Sequence, residues 1–291
     1  MIIIELLNPK SDYVFKRIFG YTGNEEITKN FLQAITNEKI EKIELDCNPI
    51  TEKNLLDDKV GILDIKAKLN DNTNCNIEMQ VIDRRNIEKR ILFYWSKLYT
   101  SGIKEGEEFS KLQKTIVILI IDYNLENLKE IKKYLTKWKI IEEENRKIVL
   151  TNDLEIYIIE ARKAKKHNCK NELDKWIKFI NNPKENVDMG DKEIKKAKEV
   201  LEEISQDKNE RYLAELRDKY IRDQKAIEGA GYDKGLKAGI ERGIEQGVQQ
   251  GIQQGEHKKQ LEIAKRMKDN KINVKTIAEI TGLSEEKIKI L

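Results

Sequence analysis

Residues 115–122 read TIVILIID, and this run constrains the fold more than any other stretch of the chain. A strand that is apolar on both sides has no face to offer to water. It must lie inside a sheet that is covered above and below. Residues 154–161 (LEIYIIEA) repeat the pattern and read as a further interior or edge strand. The cover is visible upstream. Residues 11–20 (SDYVFKRIFG) read as a short helix closed by Gly20, with Ser11 or Asp12 to cap it and Val14, Phe15, Ile18 and Phe19 as its apolar stripe. Residues 24–36 read as a second helix with Ile27, Phe31, Leu32 and Ile35 on one face, and residues 84–104 as a long helix carrying Phe93, Tyr94 and Trp95. Helices interspersed with strands predict an α/β layered architecture.

Two shorter runs add a hairpin. Residues 40–50 are predicted to be extended up to Pro49. Residues 60–69 (VGILDIKAKL) alternate, with Leu63, Ile65, Ala67 and Leu69 on one side and Asp64, Lys66 and Lys68 on the other. Residues 75–82 (CNIEMQVI) alternate again, with Asn76, Glu78 and Gln80 on the polar side. The intervening NDNTN is turn chemistry, so the pair is predicted to be a β-hairpin. Same-face pairing across a hairpin requires an even residue sum, so Asp64 meets either Glu78 or Gln80. Two carboxylates converging at a strand end can hold a hard cation such as Mg²⁺ through oxygen ligands. Such a cation can activate water and offset charge developing on a phosphate. A solvated polar face, with Lys66 and Lys68 as cross-strand ion-pair partners, is the other reading of the same residues.

Overall charge excludes little. Fifty-five basic against 52 acidic residues leave a net charge of +3, so nucleic-acid binding has to come from local patches. Cys47, Cys75 and Cys169 are widely spaced, and His167 and His257 form no ligand pattern with them. A structural zinc site and a thiol or imidazole catalytic centre are therefore not expected. The odd cysteine count suits a reducing cytoplasm. The start MIIIELLNPK lacks a basic leader and a cleavage pattern, and no apolar stretch is long enough to span a bilayer. The expectation is a soluble cytoplasmic protein.

Beyond about residue 170 the strand signal ends. Residues 172–181, 191–206 and 208–228 read as amphipathic helices, with NNPK at 181–184 as the candidate boundary. Glycine then recurs at 231, 235, 239, 243, 247, 251 and 255, with Ile240, Ile244, Val248 and Ile252 each following a glycine. Each interior glycine costs a helix about 1 kcal/mol, which close helix packing or a loose tether would justify. The first of these readings makes the chain a homo-oligomer; the charged residues interleaved with the glycines exclude a membrane span. Residues 258–291 end in TIAEITGLSEEKI, which has the outline of a helix-turn-helix. Its second helix, Ser284–Leu291, is too short to read a major groove, so a small packing or protein-interaction motif is expected. The organisation read from the chain is 1–182, 183–228, 229–257 and 258–291.

The segments NPKSDYVFKRIFG, LLDDKVGILDIKAKL with NIEMQ, and KRILFYWSKLYTSGIKEGEEFSKL occur in that order. Together they resemble the PD-(D/E)XK nuclease family transposases, the recombination-promoting nucleases and their relatives, over roughly residues 8–165. The resemblance implies a restriction-endonuclease-like core, a mixed sheet flanked by helices, followed by an all-helical C-terminal extension. It also implies a metal-dependent DNA endonuclease of bacterial recombination or mobile elements, using Mg²⁺ or Mn²⁺. By position it places the metal acids at Asp64 and Glu78 and the third catalytic position at Gln80, where the broader superfamily has lysine. It suggests an extra acid on the N-terminal helical region, for which Glu25 and Glu26 are the candidates. Arg90, Tyr94 and Lys97 share one azimuth of the helix after the hairpin and are candidate DNA contacts. Arg162, Lys163, Lys165, Lys166 and Lys170 form a second basic cluster. The competing function is a catalytically inactive core that binds DNA or assembles.

Overall fold

The structure is a computed structural model that describes residues 5–46, 55, 64–83, 86–164, 169–185 and 191–291. Six strands form one sheet: β1 (Ile43–Asp46), β2 (Ile65–Leu69), β3 (Asn74–Gln80), β4 (Thr115–Ile121), β5 (Leu135–Trp138) and β6 (Leu154–Glu160), in the order β1-β2-β3-β4-β6-β5. β1, β2 and β3 are antiparallel neighbours, β3–β4 and β4–β6 are parallel, and β5 returns antiparallel to β6. The run 154–161 is thus an interior strand. Its edge neighbour β5 has only four residues, too few for a readable alternation. The expected end of the first strand at Pro49, and the start of the second at 60–63, lie outside the described residues.

The two all-apolar strands have the double cover that their composition demands. On one face, Ile77, Ile116, Ile118, Tyr157 and Ile159 pack with α1 (Asp12–Phe19), α2 (Glu25–Thr36), α5 (Glu172–Asn181) and α6 (Lys192–Gln206). Phe19 and Phe31 lie 4.8 Å apart between ring centroids, and Trp176 of α5 sits 5.5 Å from both. On the other face, Val117, Leu119, Ile121, Ile156 and Ile158 pack under Ile87, Ile91 and Trp95 of α3 (Ile87–Thr100). The short helix α4 (Ala161–Ala164) continues directly from β6. α1 comes very close to β2. A Cβ on Gly20 would lie 2.9 Å from Ile65 Cγ1 and 3.1 Å from Lys16 Cγ, which leaves glycine as the residue that fits.

α6 and the start of α7 (Lys208–Asp269) belong to this body. Ile194, Ala197, Leu201, Ile204 and Ala214 join its core, and the compact unit runs from Met1 to Gln224. The second unit is Lys225–Leu291. The glycine repeat lies within α7, so the 208–228 helix and the repeat are one continuous 62-residue helix. Leu236, Ile240, Ile244, Val248 and Ile252 are at least half exposed along it. The end of α7 packs with α8 (Val274–Thr281) and α9 (Glu285–Ile290) around Ala264, Ile277, Leu283 and Ile288. The turn matches its sequence: Gly282 takes φ +70°, and Ser284 Oγ accepts from Lys287 N–H. Among the described residues no helix is long and apolar enough to cross a membrane.

Candidate active site

The hairpin register decides which carboxylates meet. Ile65 pairs with Ile77 and Lys68 with Asn74, and continuing the ladder by one residue sets Asp64 opposite Glu78. Of the two partners that parity allows, it is Glu78. The turn holds this register through Leu69 N–H donating to Thr73 O (2.8 Å), with Asn72 in the left-handed region at φ 62°. Gln80 follows on the same face at the end of β3.

That face is not solvated. Asp64, Glu78 and Gln80 are 9%, 9% and 6% exposed, because α3 lies over β3 and β4. Lys66 and Lys68, nearer the sheet edge, remain exposed. Burial pushes the Asp64 carboxyl well above the usual carboxylate range, and the neighbouring Glu78 charge pushes it further. Arg90, a hydrogen bond from Asn76 and the Lys16 ammonium act in the opposite direction. Arg90 Nη2 lies 2.8 Å from Glu78 Oε1. Both amide atoms of Gln80, Asn76 Oδ1 and Arg90 Nε are buried with no hydrogen-bond partner among the described residues. Each such orphan costs about 1–3 kcal/mol, so four of them around two carboxylates make this the polar cluster that a bound ligand or water would relieve.

Two small pockets open on the acids. One, of about 40 Å³, is lined by Glu78, Gln80, Arg90, Asp12 and Arg217. The other, of about 130 Å³, is lined by Asp64, Lys66, Asn76, Tyr94 and Lys97. The helix row Arg90, Tyr94, Lys97 is thereby brought to the acid pair, with the Arg90 guanidinium 5.2 Å from the Tyr94 ring centre. Trp95 turns inward, its Nε1–H donating to Thr115 O at 3.0 Å. A larger pocket of about 670 Å³ is lined by Asn30, Gln33, Tyr134 and Asn171. Two of its polar groups are engaged: Tyr134 Oη donates to Asp174 Oδ1 (2.6 Å), and Gln33 Oε1 accepts from Ile40 N–H (2.8 Å).

Glu25, Glu26 and Lys163 are engaged elsewhere. Glu25 accepts from Gly23 N–H at 2.9 Å, and the exposed Glu26 pairs with Lys29 at 2.7 Å. Lys163 donates to Leu128 O and Ile131 O (2.8 and 2.9 Å) and pairs with Glu160. Lys165 and Lys166 lie outside the described residues. Two side chains that local pattern does not reveal do reach the site, Asp12 and Arg217. Asp12 is clasped by Arg217, with Nη2–Oδ2 at 2.6 Å and Nε–Oδ1 at 3.1 Å. Arg217 also donates to Leu55 O at 2.8 Å. Lys16 is buried within the apolar stripe of α1. The clasp joins residues 205 apart in sequence, so no spacing could have announced it.

Among the described residues no group of three or more His, Cys, Asp or Glu side chains forms a metal cage. Two facing carboxylates beside neutral amide oxygens are instead the donor set of a hard cation that keeps much of its water, as Mg²⁺ does. The orphaned Gln80 and Asn76 oxygens fit that coordination or its water shell. The family model described as PD-(D/E)XK nuclease family transposase matches residues 9–230. No curated protein and no solved structure matches the chain.

Proposed function

The chain belongs to the PD-(D/E)XK nuclease family transposases, and from that premise we propose that it is a metal-dependent DNA endonuclease working at the acid pair Asp64–Glu78. Its mixed six-stranded sheet with flanking helices is a restriction-endonuclease-like α/β fold. The observation that carries the proposal is the buried pairing of Asp64 with Glu78 beside a Gln80 amide that no group among the described residues satisfies. Two like charges placed together out of water are costly, and a divalent cation is what makes the arrangement favourable.

Asp64 and Glu78 are the residues that would hold Mg²⁺ or Mn²⁺. When bound, the metal would supply activation of water and a counter-charge for the phosphate. Gln80, with a donor and an acceptor but no charge, orients that water or the phosphate. Arg90 neutralises Glu78 and, with Tyr94 and Lys97 on the same face of α3, contacts the DNA backbone, which carries affinity rather than sequence. The substrate is DNA of recombination or mobile elements in the bacterial cytoplasm.

The test is cleavage of supercoiled plasmid with Mg²⁺ or Mn²⁺. Wild type is expected to nick or degrade it. Chelator and Glu78→Ala are each expected to reduce the rate by about 10³-fold or more, since the metal supplies most of the barrier lowering. A pure wild type that binds DNA and cleaves with neither ion would point to the competing function, a core that binds or assembles.

The exposed row Leu236, Ile240, Ile244, Val248 and Ile252 on α7 supports homo-oligomerisation through the glycine-repeat helix. Sedimentation velocity on the full chain is expected to give an oligomer, and Ile240→Asp with Ile244→Asp a monomer. A monomeric wild type at tens of micromolar would count against this pairing.

A further inference from the structure

We propose that Phe93 of α3 is a specificity-determining residue, a platform on which an unpaired base of the DNA substrate stacks beside the Asp64–Glu78 site. The inference rests on the DNA reading above and adds what that DNA must look like near the acids. One exposed apolar side chain carries no message by itself. Phe93 differs in its setting. It is 61% exposed, on the side of α3 turned away from Ile87 and Ile91, which pack into the core. Lys89 and Lys97 stand four residues before and after it, on the same helix face, and both are exposed. Among the described residues neither ammonium has an ion-pair partner. The row thus alternates basic, aromatic, basic, and it leads to the acids. The Phe93 ring meets the Tyr94 ring edge-on, with centroids 5.5 Å apart. Tyr94 and Lys97 line the pocket of about 130 Å³ that opens on Asp64.

Charge decides the occupant of this row. A second copy docked here in a two-fold pair would set the patch against itself. Lys89 and Lys97 would then meet their own counterparts, and like charges placed together oppose binding. A DNA strand offers the complement of both parts: phosphates for the ammonium groups and the π face of a base for the ring. Bases inside an intact duplex are stacked on one another and leave no face for Phe93. An unpaired nucleotide does. Stacking reads no hydrogen-bond pattern, so the preference is for an unpaired base and not for a sequence.

The experiment measures binding of the full chain to three DNAs: an intact duplex, the same duplex with one unpaired adenosine, and that duplex with the unpaired nucleotide lacking its base. Chelator is present and salt is fixed, so binding is read without cleavage. Wild type is expected to bind the unpaired adenosine about tenfold more tightly than its base-less twin, the size of one base–aromatic stack. Phe93→Ala should bind those two alike, and Phe93→Trp should keep the preference. The double variant Lys89→Ala/Lys97→Ala should weaken all three DNAs and lower the salt slope by about 2, while still preferring the base. A wild type that binds the three DNAs equally, or binds none, would overturn the assignment. So would a Phe93→Ala that keeps the preference for the base, or that loses affinity for all three DNAs by one common factor. A wild type that shows the preference but cleaves plasmid with neither Mg²⁺ nor Mn²⁺ would sink the nuclease reading and leave the stacking role of Phe93 standing.

Discussion

Asp64→Asn is expected to lower plasmid cleavage by about 10³-fold or more while raising the melting temperature of the metal-free protein. The two effects have one cause. Asp64 is buried beside Glu78, and both burial and that neighbour push its carboxyl well above the usual range. Below the ordinary carboxylate range Asp64 is protonated whether the chain is folded or unfolded, and it costs the fold nothing. As pH rises through the folded-state pKa, the native state must either keep a proton that the unfolded chain has given up or ionise a buried group. Stability is lost accordingly. Asparagine keeps the shape without the charge. Melting at pH 8 with chelator should therefore put Asp64→Asn about 2–4 °C above wild type, the shift that about 1 kcal/mol gives a unit of this size. The gap should close as pH falls towards 4. Mg²⁺ or Mn²⁺ should raise the wild-type melting point and leave the variant unmoved, since only the wild type has the full ligand pair. A variant that melts below wild type at every pH would contradict this account, because it would make Asp64 a structural carboxylate.

Arg217→Met should cost the first unit about 3–5 kcal/mol, the penalty for stranding a partner of a buried ion pair. The Asp12 and Arg217 side chains are 15% and 6% exposed, and the guanidinium also satisfies Leu55 O. Without it, a carboxylate and a carbonyl lose their partners together. Both residues line the pocket that holds Gln80, so the loss is also expected to reach cleavage. Urea denaturation of the full chain gives the first number. Combining Arg217→Met with Asp12→Asn should cost less than the two single changes added together, because the second change removes the stranded charge. A loss below about 1 kcal/mol for Arg217→Met would show that water fills the gap, and the clasp would then be no more than a surface pair.

Much of the site is legible from strand geometry alone. Side chains alternate with period two, so residues 60–69 and 75–82 declare that Asp64, Glu78 and Gln80 share a face, and parity limits the partners of Asp64 to two. The run 115–121 declares a strand with cover on both sides, and α1 with α3 provide part of it. Local capping chemistry places Ser284 and Gly282 at their turn, because those hydrogen bonds close within four residues. These are properties of the chain with its near neighbours, and sequence by itself determines them.

Tertiary structure decided the rest, for a physical reason. Register chose Glu78 over Gln80 because the Leu69–Thr73 bond and the turn set the ladder. Whether the polar face of β3 was wet or dry depended on α3 lying across it; the same alternation would be read either way. The four-residue strand β5 has too few positions to show a period, and it exists because β6 offers it an edge. Asp12 and Arg217 are side chains brought near only by packing, and contacts between residues far apart in sequence leave no period to read. Sequence determined which faces carry carboxylates and which strands are dry. The fold determined that the carboxylates are buried, paired with each other, and approached by cations from α3 and α7.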